Sequence, residues 1–192
     1  MQKIAQELAI CCVQKGIIEA EDTEWFIYGI EKRLTTLVTS LFFLSLATFL
    51  TDFYIAISFL GSFLFLRTRI NGYHAKNYYS CFLASILSEA VFLRIILPFI
   101  TIKVAWVLNV LSILLISLFA PINSPNIHMT QQELTQSKKY AHIRLLILIV
   151  LLFTCRRNVS LLLGLTLGNL MAALFVVIEI IKGGITSVQR KS

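Results

Sequence analysis

What most constrains this chain is a succession of six apolar segments, roughly 34–50, 53–66, 82–100, 104–120, 143–155 and 159–181, parted by short polar stretches. Only 14% of its 192 residues are charged and 57% are hydrophobic, whereas soluble domains carry about 25% charged residues. A chain with so little polar surface cannot coat a globule in water. The predicted fold is all-α: a polytopic membrane helix bundle of about six transmembrane segments over 34–192, preceded by an amphipathic helical region over 1–33.

A full span needs about 20 residues to cross about 30 Å of hydrocarbon. The third, fourth and sixth segments come near that, and the second and fifth are short. The short ones either take in flanking residues or thin the bilayer locally. Re-entrant segments are the alternative and would leave four spans. Thr51 and Asp52 mark the tip of a tight hairpin between the first two segments.

In the N-terminal region, Ile4, Leu8 and Cys11 or Cys12 fall at helical spacing, and Gly16 predicts a break. This stripe suits a helix lying on the membrane surface, in contact with lipid, a solvated tail being the other reading. Trp25, Phe26 and Tyr28 then lead into the first apolar segment as interfacial aromatics. No apolar signal-peptide core precedes them, which predicts a mature, cytoplasmic N-terminus. With six spans and that start, only Lys103, Arg156 and Arg157 fall outside and Arg94 falls within a span; the remaining basic residues lie inside. The positive-inside rule therefore puts the loops around 67–81 and 121–142 in the cytoplasm. The net charge of +7 is scattered along loops and gives no argument for a nucleic-acid partner.

The four cysteines, Cys11, Cys12, Cys81 and Cys155, show no C-x-x-C spacing. The adjacent pair is too strained to bridge readily, so no disulfide framework is expected. One cysteine stands out. The basic stretch from Arg67 to Cys81 reads RTRINGYHAKNYYSC and holds His74 seven residues before Cys81. Nearby positive charge from Arg67, Arg69 and Lys76 favours a thiolate, and a histidine can take a proton and return it to a leaving amine. Such a pair suits amide cleavage through a thioester. In one unbroken helix the two residues would be about 10.5 Å apart along the axis, so a dyad requires a bend between them. Gly72 can supply a turn before His74. Spacing alone also allows a plainer reading, with Cys81 a small core residue at a helix start and His74 an interfacial polar group. A metal site with His128 and His142 lacks a dense ligand cluster, and no metal or other cofactor is expected.

The pattern R-x-x-x-x-G-x-H-A-x-x-x-x-x-C, held by Arg67, Gly72, His74, Ala75 and Cys81, resembles that of the AgrB (accessory gene regulator B) family of bacterial membrane peptidases. The second loop is similar too, with Ala120–Pro121 before a short polar stretch and SKKYA from Ser137 to Ala141. The resemblance extends over nearly the whole chain. It implies a cysteine endopeptidase of the bacterial cell membrane that removes the C-terminal part of an AgrD-like propeptide. Cys81 would be the nucleophile and His74 the base. A cysteine or serine of the peptide would then close a thiolactone or lactone ring, giving a quorum-sensing signal. Arg67 and Gly72 correspond to family motif positions, and relatives suggest a homodimer. Many relatives have Asp where this chain has Asn123.

Several polar residues within the apolar segments need a partner or a purpose. Ser85, Ser88 and Glu89 would share roughly one face with Cys81 in a helix beginning near it. Ser85 could hydrogen-bond the catalytic pair and Glu89 could line a substrate cavity; pairing between helices is the structural alternative. Asn169 with Gly164 and Gly168 reads as helix packing, and Glu179 as interfacial. Two other functions compete with the peptidase. A small peptide transporter or exporter would use Glu89, Arg94 and Asn169 along a polar path and would not need the thiol. A non-catalytic scaffold would need neither His74 nor Cys81.

Overall fold

The computed structural model describes residues 2–70, 78–123, 130–182 and 185–186. It is an all-α polytopic bundle whose helices are α1 (Gln2–Gln14), α2 (Thr23–Leu50), α3 (Phe53–Ile70), α4 (Tyr78–Ala90), α5 (Ile102–Phe119), α6 (Gln131–Thr154) and α7 (Val159–Ile181). The chain forms two compact units, Met1–Ser45 and Leu46–Ser192.

In the first unit α1 ends where the sequence predicts. Gly16 has φ +65°, the left-handed region that favours glycine. The Gly16 N–H donates to the Val13 carbonyl and the Ile17 N–H to the Cys12 carbonyl, both at 2.9 Å. This pair of bonds satisfies two of the carbonyls a helix end leaves open. The buried side of α1 is made by Ala5 and Ala9, one turn apart, while Leu8 is exposed. Trp25 and Tyr28 on α2 are exposed as well. A short 3-10 turn, Ala20–Asp22, leads into α2, which carries the chain past residue 33 without a break.

The second unit is built around α7. This helix is apolar all round, and its buried residues recur from Leu162 to Glu179 on nearly every side. It packs against α3 and α5. Gly164 and Gly168, one turn apart, let it lie directly on α3. A Cβ at Gly164 would stand 2.5 Å from the Ile55 carbonyl oxygen and still closer to Ser58 Oγ. A Cβ at Gly168 would meet Ser62 Oγ and the Phe59 carbonyl oxygen in the same way. The matching order of the two pairs means that α3 and α7 run parallel. Phe63 meets Phe175, about two turns further along α7, edge-on at 5.6 Å.

Helix α5 shows the inverted pattern of a lipid-facing helix. Val107, Val110, Leu114 and Leu118 face outward, while Ala105, Asn109, Ser112 and Ile116 are buried. Its Asn109 donates to Thr166 Oγ1 at 2.7 Å and accepts from Asn169 Nδ2 at 2.8 Å. Bonds of this kind hold helices together where lipid offers no hydrophobic drive.

Among the described residues, five helices are long and apolar enough to cross a membrane: Thr23–Leu50, Phe53–Ile70, Phe82–Phe99, Ile102–Phe119 and Val159–Ile181. The second apolar segment, expected to be short, gains its length by continuing through Arg67–Ile70. The chain breaks before it because Asp52 Oδ1 accepts from the Tyr54 N–H at 2.7 Å and so caps α3. The fifth segment is the apolar half of α6. From Ile143 to Thr154 that half is only about 18 Å long, and its first half is polar. After Ala90, helix α4 widens into a π-helical turn, Val91–Ile96, and then a 3-10 turn, Leu97–Phe99. Pro98 supplies the physical reason: it lacks an N–H and its ring would clash with the Arg94 carbonyl in a regular helix.

Helix α6 opens with a capping box. Thr130 Oγ1 accepts from the Glu133 N–H at 3.3 Å, and Glu133 Oε2 accepts from the Thr130 N–H at 2.8 Å. The Thr130 N–H, and then its hydroxyl, hold the Glu133 carboxyl below the usual carboxylate range. A depressed carboxyl stabilises the fold above its unfolded pKa, and that contribution disappears as pH falls through the lower, folded value. Thr130→Ala is therefore expected to speed hydrogen exchange of the first-turn amides of α6 severalfold at pH 7. In wild type the same amides should lose their protection below the normal carboxylate pKa. Equal exchange in the two proteins at pH 7 would show the box to be idle.

Candidate active site

One end of the second unit gathers the polar stretches that the sequence singles out. It holds the C-terminal ends of α3, α5 and α7 and the N-terminal half of α6. After α5, a cis Ala120–Pro121 bond leads into Ile122–Asn123, which pairs antiparallel with Ile185–Thr186 beyond α7. Ile122 is fully buried, so this two-residue pairing anchors the second loop against the bundle. Asn123 contributes backbone to that pairing, opposite Ile185.

The basic residues at the end of α3 are held by aromatic rings. The Arg67 guanidinium lies 5.4 Å from the centre of the Phe175 ring on α7. Arg69 lies 4.8 Å from the Tyr140 ring on α6, and Arg144 of α6 lies 4.9 Å from the Phe65 ring on α3. Arg144 also donates to the Phe65 carbonyl and to Thr68 Oγ1. Each of the two helices thus places an arginine on an aromatic of the other. The SKKYA stretch forms part of this clasp: Ser137 and Ala141 turn inward, and Tyr140 takes Arg69. The described start of the first family-like stretch, at Arg69, thus lies beside the second, at Tyr140.

His74 and Gly72 lie outside the described residues. Cys81 is the fourth residue of α4, and its side chain is likewise outside the description. The α-helical backbone from Tyr78 to Ala90 sets Ser85 about 40° and Glu89 about 80° round the helix from Cys81. The expectation that these residues share one side of a helix holds for the backbone. Ser85 is half-buried, and Ser88 turns its hydroxyl back onto the Ala84 carbonyl at 2.7 Å. Glu89 is 2% exposed, and among the described residues neither carboxylate oxygen has a hydrogen-bond partner. It lies about 12 Å along the axis from Cys81. An unpaired carboxyl in such a setting is costly.

Other residues fall differently from expectation. Glu179, read as interfacial, is 4% exposed, because α7 is enclosed on almost every side. Arg94 is exposed, on a different side of its segment from the buried Phe92 and Leu93. Asn169 serves helix packing as expected, through Asn109. Asn109 itself escaped notice, although an asparagine within the most apolar stretch of α5 was its signal. Cys11, Cys12 and Cys155 are free thiols. Among the described residues no group of three His, Cys, Asp or Glu side chains could hold a metal ion.

Compared with known proteins, the chain matches the family model described as Accessory gene regulator B over residues 1–181. No curated protein and no solved structure matches it.

Proposed function

Because the chain belongs to the accessory gene regulator B family, whose role is in processing the accessory gene regulator peptide, we propose that it is a membrane cysteine endopeptidase acting on an AgrD-like propeptide. The observation that carries this reading is the family match itself, which spans both His74 and Cys81. In the proposed reaction His74 accepts the Cys81 proton and the thiolate attacks the scissile carbonyl. The C–N bond breaks, the C-terminal part leaves as an amine protonated by His74, and the N-terminal part stays as a thioester on Cys81. A cysteine thiol or serine hydroxyl within the peptide then attacks the thioester. That step closes a thiolactone or lactone ring and returns the Cys81 thiol.

The other residues take supporting parts in this reading. Ser85 hydrogen-bonds within the site one turn from Cys81. Glu89, buried and without a hydrogen-bond partner among the described residues, meets a polar group of the substrate two turns further in. Arg67, stacked on Phe175, and Gly72 shape the loop. The enzyme works as a homodimer in the bacterial cell membrane, with its N-terminus and the loop of residues 71–77 in the cytoplasm. Residues 1–33 lie at the interface and 34–192 form the peptidase domain. An exporter built on Glu89, Arg94 and Asn169 is disfavoured: Arg94 is exposed, and Asn169 is hydrogen-bonded into the α5–α7 contact.

The test is to incubate the full chain in membranes with its short propeptide and quench in acid. Intact-mass and peptide mass spectrometry should then find the N-terminal part of the peptide as an adduct on Cys81. Hydroxylamine should release it. Cleaved peptide with no adduct at any quench time, or an adduct on Cys11, Cys12 or Cys155, would overturn the assignment.

A further inference from the structure

Between α3 and α6 runs an open groove of about 300 Å³, lined by Ser58, Gly61, Ser62 and Phe65 on one side and by Ile147 and Leu151 on the other. Its serines do not make it polar. Ser58 Oγ donates to the Tyr54 carbonyl at 2.6 Å and Ser62 Oγ to the Phe59 carbonyl at 3.1 Å, so both hydroxyls are turned back on their own helix. Gly61 opens the floor, since a Cβ there would meet nothing within 4 Å.

The groove has a charged head. Phe65, at its upper edge, carries the Arg144 guanidinium. One turn beyond, Arg69 rests on Tyr140, close enough for the two like charges to act on each other. No ion pair among the described residues engages either arginine. Arg144 uses one nitrogen, Nη1, on Phe65 and Thr68, which leaves the donors on Nε and Nη2 for another acceptor. From Ser58 to Arg69 the assembly is about 16 Å long. Beside it Ile143 and Leu146 of α6 are exposed, as residues facing lipid are.

We propose that the α3–α6 groove and the arginine pair at its head form a binding site for an anionic phospholipid, with an acyl chain along Gly61 and the phosphate on Arg69 and Arg144. Two features select this ligand. Two neighbouring guanidinium groups with no acidic partner among the described residues attract an anion, and Arg is suited to gripping phosphate through more than one donor. The apolar groove that continues from them calls for a ligand whose anionic head is joined to an apolar tail. A soluble acidic peptide offers only the first. Bound lipid would also relieve the repulsion between Arg69 and Arg144 and brace α3 against α6. The site does not depend on the peptidase chemistry.

The experiment uses the full chain exchanged into nanodiscs of equal phosphatidylglycerol and phosphatidylcholine, released for native mass spectrometry. Wild type is expected to retain phosphatidylglycerol at least fivefold over phosphatidylcholine. Arg69→Gln/Arg144→Gln should bring the two to parity. Gly61→Leu, which fills the groove, should lower retention of both. Should the double variant fail to fold, as judged by helicity and monodispersity, Arg69→Gln alone and Gly61→Leu carry the same test. Parity in wild type, or an unchanged preference in the arginine variants, would overturn the proposal. So would binding of a lipid-free acidic peptide, or of inorganic phosphate, that matches phosphatidylglycerol and is lost in the same variants. If Gly61→Leu leaves lipid retention intact but alters the oligomeric state, the groove is a helix contact and the proposal also fails.

Discussion

Cys81→Ala is expected to lower propeptide cleavage by at least about 10⁴-fold, because a reaction routed through a covalent intermediate has no substitute for its nucleophile. His74→Ala should cost less, about 10² to 10⁴-fold, the usual worth of a positioned base. Cys81→Ser should be nearly as inactive as alanine, since a hydroxyl beside histidine alone is far less nucleophilic than a thiolate. The variants are made in the full chain and compared by the rate at which the C-terminal fragment appears. Each must first show wild-type helicity and elution. The order of the two losses matters as much as their size. A scaffold or exporter predicts no cleavage even by wild type and an unchanged function in both variants, and persistent cleavage by Cys81→Ala would sink the peptidase reading outright. Glu89→Gln offers a gentler probe. It keeps the shape of a buried side chain but changes what a substrate could bond, so a rise in KM without a fall in kcat would place Glu89 in binding.

The largest structural effect is expected at Gly168. Its partner atoms on α3 include backbone, with the Phe63 nitrogen 3.0 Å from where a Cβ would stand and the Phe59 carbonyl oxygen nearer still. Backbone cannot swing aside as a side chain can, so even Gly168→Ala must push α7 off α3. Overpacking of this kind costs about 1–3 kcal/mol for small additions, and Gly168→Leu should leave little folded protein. Ser62→Ala is expected to rescue Gly168→Ala only in part, because it removes Oγ but leaves the Phe59 carbonyl. Gly61→Ala, facing open space on α3, is the control and should fold as wild type. Thermal aggregation in detergent, followed by monodispersity, reads all four. A Gly168→Leu variant as stable as wild type would show that the close approach of α3 and α7 carries no weight.

The apolar segments, the stop at Gly16 and the break at Asp52 were legible because each is a local signal. Hydrophobic length, left-handed backbone and a side-chain oxygen at a helix start need no knowledge of distant residues. Gly164 and Gly168 were legible as packing residues, but their seat on Ser58 and Ser62 was not, since nothing local says which helix comes to meet them. The same limit hid Asn109 and the burial of Glu179, which follows from α7 being enclosed. The widening at Val91–Ile96 follows from Pro98, seen only once the helix is drawn through it. At the site, the shared side of Cys81, Ser85 and Glu89 was readable from helical spacing. The clasp between Arg69, Tyr140, Arg144 and Phe65 was not, because it joins stretches some seventy residues apart.

The central place of α7 bears on how the protein is made. Helices α3 and α5 leave the ribosome well before α7, and until it arrives they carry faces cut for it: Ser58 and Ser62 on one, Asn109 on the other. Asn109 then sits in the bilayer without its Thr166 and Asn169 partners. The second unit therefore completes its packing only once the stretch from Val159 is made.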